Sequence, residues 1–260
     1  MLLAGVGAAL LAVSVIAPPA RVSAQTGAAS GSTYKAPRTP FGQPDLQGYW
    51  QVVNSAAWNL EAHAGRLGVA PPGMSVVEGG DIPYKPEALA QRQTNFQNRA
   101  KLDPVSKCWA PGVPRLMYMP HPFQIIQAAT EVVMFFEFNN HERWIYMQGK
   151  HPEDIPFWMG DARGKWEGET LVVDNANFNG QTWLDAAGNY TSDALHVVER
   201  YTRTGPDHLM YEATIEDPKV YSRPWKVSMP MYRRLDKNMQ IMEFNCFEDL
   251  MLDRFYPNRP

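Results

Sequence analysis

Histidine, carboxylate, arginine and tryptophan side chains are concentrated between residues 137 and 203 of this 260-residue chain, and their spacing suggests several kinds of chemistry. His151, Glu153 and Asp154 lie within four residues, with Asp161 a few positions on. An imidazole beside carboxylate oxygens is a donor set for a divalent metal. The same stretch also reads as a solvated turn, because Pro152 fixes its backbone and no second histidine is clustered with it. Further on, His196, Val198, Arg200 and Thr202 share one face of a strand, while Leu195, Val197, Glu199 and Tyr201 share the other. If the first face lines a cavity, His196 is the best general acid or base, because an imidazole titrates nearest neutrality. Arg200 could then hold a carboxylate, phenolate or enolate. In a packed barrel the same two residues would be a hydrogen-bonded histidine and an ion-paired arginine.

Glu137 ends a very apolar run, where desolvation would favour its protonated form and suit it to proton transfer. An ion pair with Arg143 across the intervening turn is an equally natural use of it. Tyr146 could donate a hydrogen bond to a developing oxyanion. Trp158, Trp166 and Trp183 could floor a pocket for a flat or alicyclic ligand, stack on sugar rings, or simply pack. The sequence contains no nucleophile-elbow serine, P-loop, dinucleotide fingerprint or HExxH. Serine-triad hydrolysis and nucleotide chemistry are therefore disfavoured, and no organic cofactor is expected.

The elements that must position these residues are mostly strands. Runs rich in β-branched and aromatic residues occupy 46–53, 123–128, 132–138, 143–148, 165–174, 194–203, 209–216, 225–235 and 239–247. Short connections such as Gly205-Pro206-Asp207 separate several of them. About nine sequential antiparallel strands close most simply into an up-and-down β-barrel, which removes exposed edges; a two-sheet sandwich is the other arrangement. Residues 54–120 form an excursion whose best helix is 86–100. Pro86 and Glu87 suit its first turn, and Leu89 and Phe96 give it a weak apolar stripe. The expected organisation is a leader peptide at 1–24, a flexible segment at 25–45 and one barrel domain at 46–260.

Composition supports a single globular unit: 45% hydrophobic residues, 20% charged and 22 prolines exclude wholesale disorder and argue against a helical bundle. A net charge of −3 without a basic stripe disfavours nucleic acid as a partner. The apolar residues 2–16, followed by Ala17-Pro18-Pro19 and the small-x-small triplet Val22-Ser23-Ala24, read as an export signal. Cleavage there would leave no membrane span. In an oxidising compartment Cys108 and Cys246 are expected to form one disulfide, tying the excursion to the last strand.

Gly48-Tyr49-Trp50 resembles the GxW signature of the lipocalin and wider calycin barrels. That resemblance implies a Trp closing one barrel end beneath a late-strand arginine, here Arg233 or Arg234. A broader resemblance rests on TPFGQPDLQGYW (39–50), DPVSKCWAPGVPR (103–115), HPEDIPFWMGDARGKWEGETLVVD (151–174), TWLDAAGNYTSDALHVVERYTR (182–203) and TIEDPKVYSRPW (214–225). Together these motifs resemble a large group of uncharacterised exported bacterial proteins, which implies export to the periplasm or medium and a shared fold.

The function expected from these features is the handling of a small, partly apolar or aromatic molecule. As an enzyme the chain would be a cofactor-free lyase, isomerase or hydratase. His196 would be its acid or base, Glu137 or Asp161 its second carboxylate, and Arg143, Tyr146 or Arg200 would stabilise negative charge. The alternatives are a non-catalytic carrier of a hydrophobic ligand and a carbohydrate-binding or envelope interaction module.

Overall fold

The computed structural model describes residues 34–65 and 70–246. The expected leader peptide and the first part of the flexible segment lie outside the described residues. Residues 34–45 lie against one end of the barrel, where Arg203 donates to the Asp45 carbonyl at 2.8 Å and Gln127 to the Pro44 carbonyl at 3.0 Å. No helix among the described residues is long and apolar enough to cross a membrane.

The architecture is a closed barrel of nine strands in chain order. They are β1 (Gly48–Val52), β2 (Phe123–Gln127), β3 (Glu131–Phe136), β4 (Glu142–Tyr146), β5 (Asp161–Glu167), β6 (Thr170–Ala176), β7 (His196–Gly205), β8 (His208–Glu216) and β9 (Trp225–Arg233). Strand directions must alternate around an antiparallel ring, and nine is odd, so at least one neighbouring pair has to run parallel. That pair is β4–β5, with Ile145 opposite Ala162 and Tyr146 opposite Arg163. Parallel neighbours need a crossover of about a dozen residues. Residues 147–160 supply it, and they carry the His151 motif.

Two expected strands differ. The run 165–174 is a hairpin: β5 and β6 turn at Gly168, whose φ of 62° is left-handed, with Glu167 opposite Thr170. The turn itself is polar, Glu167-Gly168-Glu169-Thr170, but only two residues separate the strands, and the run from Lys165 to Asp174 reads as one. Of the expected last strand, 239–247, the described residues 239–246 form no strand. Past β9 the described chain keeps a single bridge, Phe244 to Phe138. One run splits and another is lost, so the count stays at nine. The expected helix is α1 (Pro86–Gln97), followed by the short α2 (Arg99–Leu102). Leu89 and Phe96 point to solvent, and Ala88 and Asn95 are the residues that α1 buries.

The barrel interior is packed. On β7 the inward residues are Val197, Glu199, Tyr201 and Arg203, and on β8 they are Leu209, Tyr211, Ala213 and Ile215. Trp50, Met134, Ile145, Leu171, Val173, Tyr201, Tyr211 and Val227 have essentially no water-accessible surface. These side chains fill the space between the sheet walls, as in other small barrels. His196, Val198 and Arg200 lie on the outer face, so the cavity that the sequence placed beside them does not exist on that side.

Arg233 is the late-strand arginine that covers Trp50, with its guanidinium 4.6 Å from the ring centroid. Trp50 Nε1 donates to the Leu46 carbonyl at 2.9 Å. Gly48 is required by the same arrangement: its φ is 131°, and a Cβ there would lie 2.3 Å from Arg233 Nη1. Gly48→Ala is therefore expected to lower stability by about 1–3 kcal/mol, by straining the backbone and displacing the guanidinium from the indole. Urea unfolding followed by tryptophan fluorescence measures it; a change below about 0.5 kcal/mol would mean that Arg233 moves aside freely.

Candidate functional site

The barrel centre holds a buried polar cluster. Arg143, projecting inward from β4, donates to both carboxylate oxygens of Glu199 on β7, to Tyr201 Oη at 3.2 Å and to Asn175 Oδ1 at 2.6 Å. Tyr201 and Tyr211 each donate to Glu199 Oε1 at 2.8 Å. Asn175 Nδ2 donates to Oε2 at 2.8 Å. Burial opposes the charge on Arg143, but the Glu199 carboxylate more than compensates and holds it protonated. Burial, and then the charge of Glu199, pushes both phenols well above their usual range. Arg143 is 3% exposed and Glu199 has no exposed surface, so the cluster is closed to solutes. Arg143 is thus neither an oxyanion holder on a ligand nor the partner of Glu137. Glu137 instead faces His121 Nδ1 at 3.3 Å and accepts from Met242 N at 3.1 Å, on the rim of a cleft shared with Gln51 and Arg234.

Titratable groups accessible to solutes converge elsewhere, on the outer wall where β5, β6 and β7 meet the β4–β5 crossover. His196 Nε2 bonds Asp174 Oδ1. The other oxygen of Asp174 lies 3.3 Å from His151 Nε2, and His151 Nδ1 lies 2.6 Å from Asp161 Oδ2. Arg163 ends the chain of contacts, donating to both Asp161 oxygens at 2.7 and 2.9 Å. The register explains the convergence. Asp174 is opposite Val198 on β7 and opposite Arg163 on β5, which puts His196 on its diagonal. The crossover then swings His151 in from the side, and Asn177 Nδ2 holds it by donating to the Pro152 carbonyl at 2.6 Å. Both ring nitrogens of His151 face carboxylate oxygens. Partial burial disfavours charge on Asp174, but hydrogen bonds from His196 and His151 outweigh it and hold the carboxyl below the usual range.

Three residues singled out from the sequence therefore meet: His196, Asp161 and His151. The residue that joins them, Asp174, ends an ordinary apolar run, LVVD, and only the β6–β7 register reveals it. Glu153 and Asp154 are exposed, and the acids that His151 contacts are Asp161 and Asp174. Among the described residues no group of three or more His, Cys, Asp or Glu side chains is arranged to hold a metal. Tyr146 is 44% exposed and lies under the Arg163 guanidinium, 5.1 Å from ring centroid to carbon. Arg200 is spent on Glu167 at 2.9 Å. A cleft of about 270 Å³ lined by Asp154, Ile155, Pro156, Asn177 and Phe178 is built from the same crossover and the same end of β6.

The tryptophans divide. Trp183 lines a larger pocket of about 540 Å³ at this end of the chain's path, between the helical excursion and residues 179–193. Trp158 packs edge-on against Trp109 at that pocket's wall, with centroids 5.3 Å apart. Trp166 sits apart, opposite Leu171 near the β5–β6 turn and against the core. The 179–193 segment is shaped by Asp185, a buried residue the sequence did not single out. It accepts from Leu60 N at 2.9 Å, Ala187 N at 2.9 Å and Asn189 Nδ2 at 2.6 Å. Burial pushes its carboxyl up to about 6.

The fold and this wall define a closed nine-stranded β-barrel whose interior is structural and whose accessible polar groups lie outside it. No protein-family model matches the chain, and no curated protein matches it.

Proposed function

We propose that this is an exported small-molecule-handling barrel, a member of the bacterial group its motifs resemble, that carries out cofactor-free acid–base chemistry on its outer wall. The observation that supports the reading is the continuous chain His196–Asp174–His151–Asp161–Arg163, which brings together side chains from β5, β6, β7 and the crossover. In the tautomer whose Nε2–H donates to Asp174, His196 presents the Nδ1 lone pair to solvent as a base. The His196 side chain is 41% exposed, so a solute can reach it.

A substrate C–H next to a carbonyl gives its proton to Nδ1, and the electron pair moves onto the carbonyl oxygen as an enolate. Asp174 stabilises the imidazolium so formed, as the acid does in an Asp–His pair. With a β,γ-unsaturated ketone, return of the proton from the imidazolium to Cγ of the dienolate gives the conjugated isomer; with a β-hydroxy ketone, the enolate re-forms the carbonyl as the C–O bond breaks, and the imidazolium proton leaves with hydroxide as water. Export is consistent with the Cys108–Cys246 disulfide, whose Cα atoms are 5.5 Å apart.

Deuterium incorporation from D2O into a panel of α-aryl ketones and β-hydroxy ketones, followed by proton NMR, tests this. Wild-type protein is expected to exceed buffer with at least one compound. His196→Gln and Asp174→Asn are each expected to lose about 10²–10⁴-fold, while Glu137→Gln keeps the rate. Activity should also fall in acid. Asp174 binds its proton less readily folded than unfolded, so its contribution is present above the ordinary carboxylate range and disappears as pH drops through its lowered value. Exchange no faster than buffer across the panel, or a fully active His196→Gln, would refute the reading.

A further inference from the structure

The pocket of about 540 Å³ shares no lining residue with the Asp–His chain, and its chemistry is different. Its size suits one or two small rings. Trp109, from the turn that follows α2, lines it together with Tyr190 and with Trp183, which is 8% exposed. Trp109 is 44% exposed, so an indole face is open to a ligand. Trp158 fixes that indole from the side, and Cys108, its neighbour in sequence, is tied down by the disulfide. The Tyr190 side is equally rigid. Tyr190 donates to the Ala88 carbonyl at 3.2 Å, and Gly188 approaches α1 so closely that a Cβ would lie 2.7 Å from Phe96 N. The site is formed before a ligand arrives.

The polar lining is mostly uncharged. Side-chain amides come from Gln91, whose Nε2 donates to Asn95 Oδ1 at 2.7 Å, from Asn179, whose Oδ1 accepts from Gln181 N at 3.0 Å, and from Gln181, which leaves Gln91 Oε1, Asn179 Nδ2 and the Gln181 amide for a ligand. Of the two charged lining residues, Asp193 pairs with Lys219, and Lys107 Nζ lies 4.8 Å from the Trp109 ring centroid. An amide offers both a donor and an acceptor, which matches a hydroxyl group's own donor and acceptor. Indole faces suit the C–H face of a saturated ring. A purely apolar ligand would leave the remaining amide positions without a partner.

We propose that this pocket binds a neutral pyranose ring, free or at the end of a short oligosaccharide, stacked on Trp109, bounded by the edge of Trp183 and hydrogen-bonded by the surrounding amides. The inference does not depend on the acid–base reading, since no residue is common to both. It predicts measurable binding of at least one of maltose, cellobiose, lactose or chitobiose to the full mature chain, by tryptophan fluorescence and calorimetry, at concentrations up to about 10 mM. Trp109→Ala and Trp183→Phe are each expected to weaken that binding tenfold or more. Trp144→Ala, which removes an exposed indole on β4, should leave it unchanged. Trp109 is a surface residue and Trp183→Phe keeps a ring, so both variants should fold, and their circular dichroism and unfolding midpoints would verify it. Failure of all four sugars to bind would overturn the proposal, as would binding that both pocket variants leave intact. Preferential binding of benzoate or naphthoate over every sugar would also overturn it.

Discussion

Arg143→Met should lower the unfolding free energy by about 3–5 kcal/mol. The reason is the state of the partner left behind. Glu199 has no exposed surface, and without Arg143 its carboxylate keeps only the donors of Tyr201, Tyr211 and Asn175. An unpaired buried charge costs far more than the net value of the pair, because the pair itself had to be desolvated. The double variant Arg143→Met/Glu199→Leu is therefore expected to be more stable than Arg143→Met alone, recovering part of the loss. Full recovery is not expected, since both phenols and Asn175 then lack their acceptor. Urea unfolding monitored by fluorescence and far-UV circular dichroism gives the three values. A single-variant loss under about 1 kcal/mol would mean that the interior is wetter than its packing indicates, and a double variant worse than the single would contradict the charge argument.

The second large effect is expected from Cys108→Ser/Cys246→Ser. The bond closes a loop spanning 138 residues, and in the chain-entropy model its removal costs about 4–5 kcal/mol. The loss should also be local. Beyond β9 the described chain is held by Phe244, whose ring lies 5.5 Å from Phe138 and 4.5 Å from His121. Met242 N donates to Glu137, and Cys246 N donates to Asn139 Oδ1 at 2.8 Å. Among the described residues the segment past residue 234 is held mainly by such single contacts, so it is expected to loosen once the covalent tie is gone. The variant is expected to unfold at lower urea and to be clipped by protease past residue 234 while the barrel remains intact. Equal midpoints and equal protease resistance would show that the noncovalent contacts suffice.

Much of the fold was legible because strands announce themselves locally. Alternating and β-branched runs identified the barrel, and the GYW triplet with its late arginine pair identified the end cap that Trp50 and Arg233 form. Two cysteines in a chain with an export-like start identified the disulfide. The strand faces were legible too, since a period of two sorts Val197, Glu199 and Tyr201 from His196, Val198 and Arg200.

The direction those faces point was not legible. Periodicity separates two faces of a strand, and only closure of the sheet decides which one is interior. The solitary Glu199 on a largely apolar face was the available signal for a buried charge. Its partner, Arg143, lies 56 residues away, a pairing no local pattern encodes. The same holds on the outside, where Asp174 becomes the centre of a chain of contacts only because the β6–β7 register sets it diagonal to His196. His151 reaches it because an odd-numbered ring requires a parallel pair, and therefore a crossover at β4–β5. The sequence by itself determined most of the elements, their two faces, the end cap and the covalent tie, all properties of short stretches or of residue type. Ring closure and register, which depend on every strand at once, decided what is inside, what is outside and which distant side chains touch.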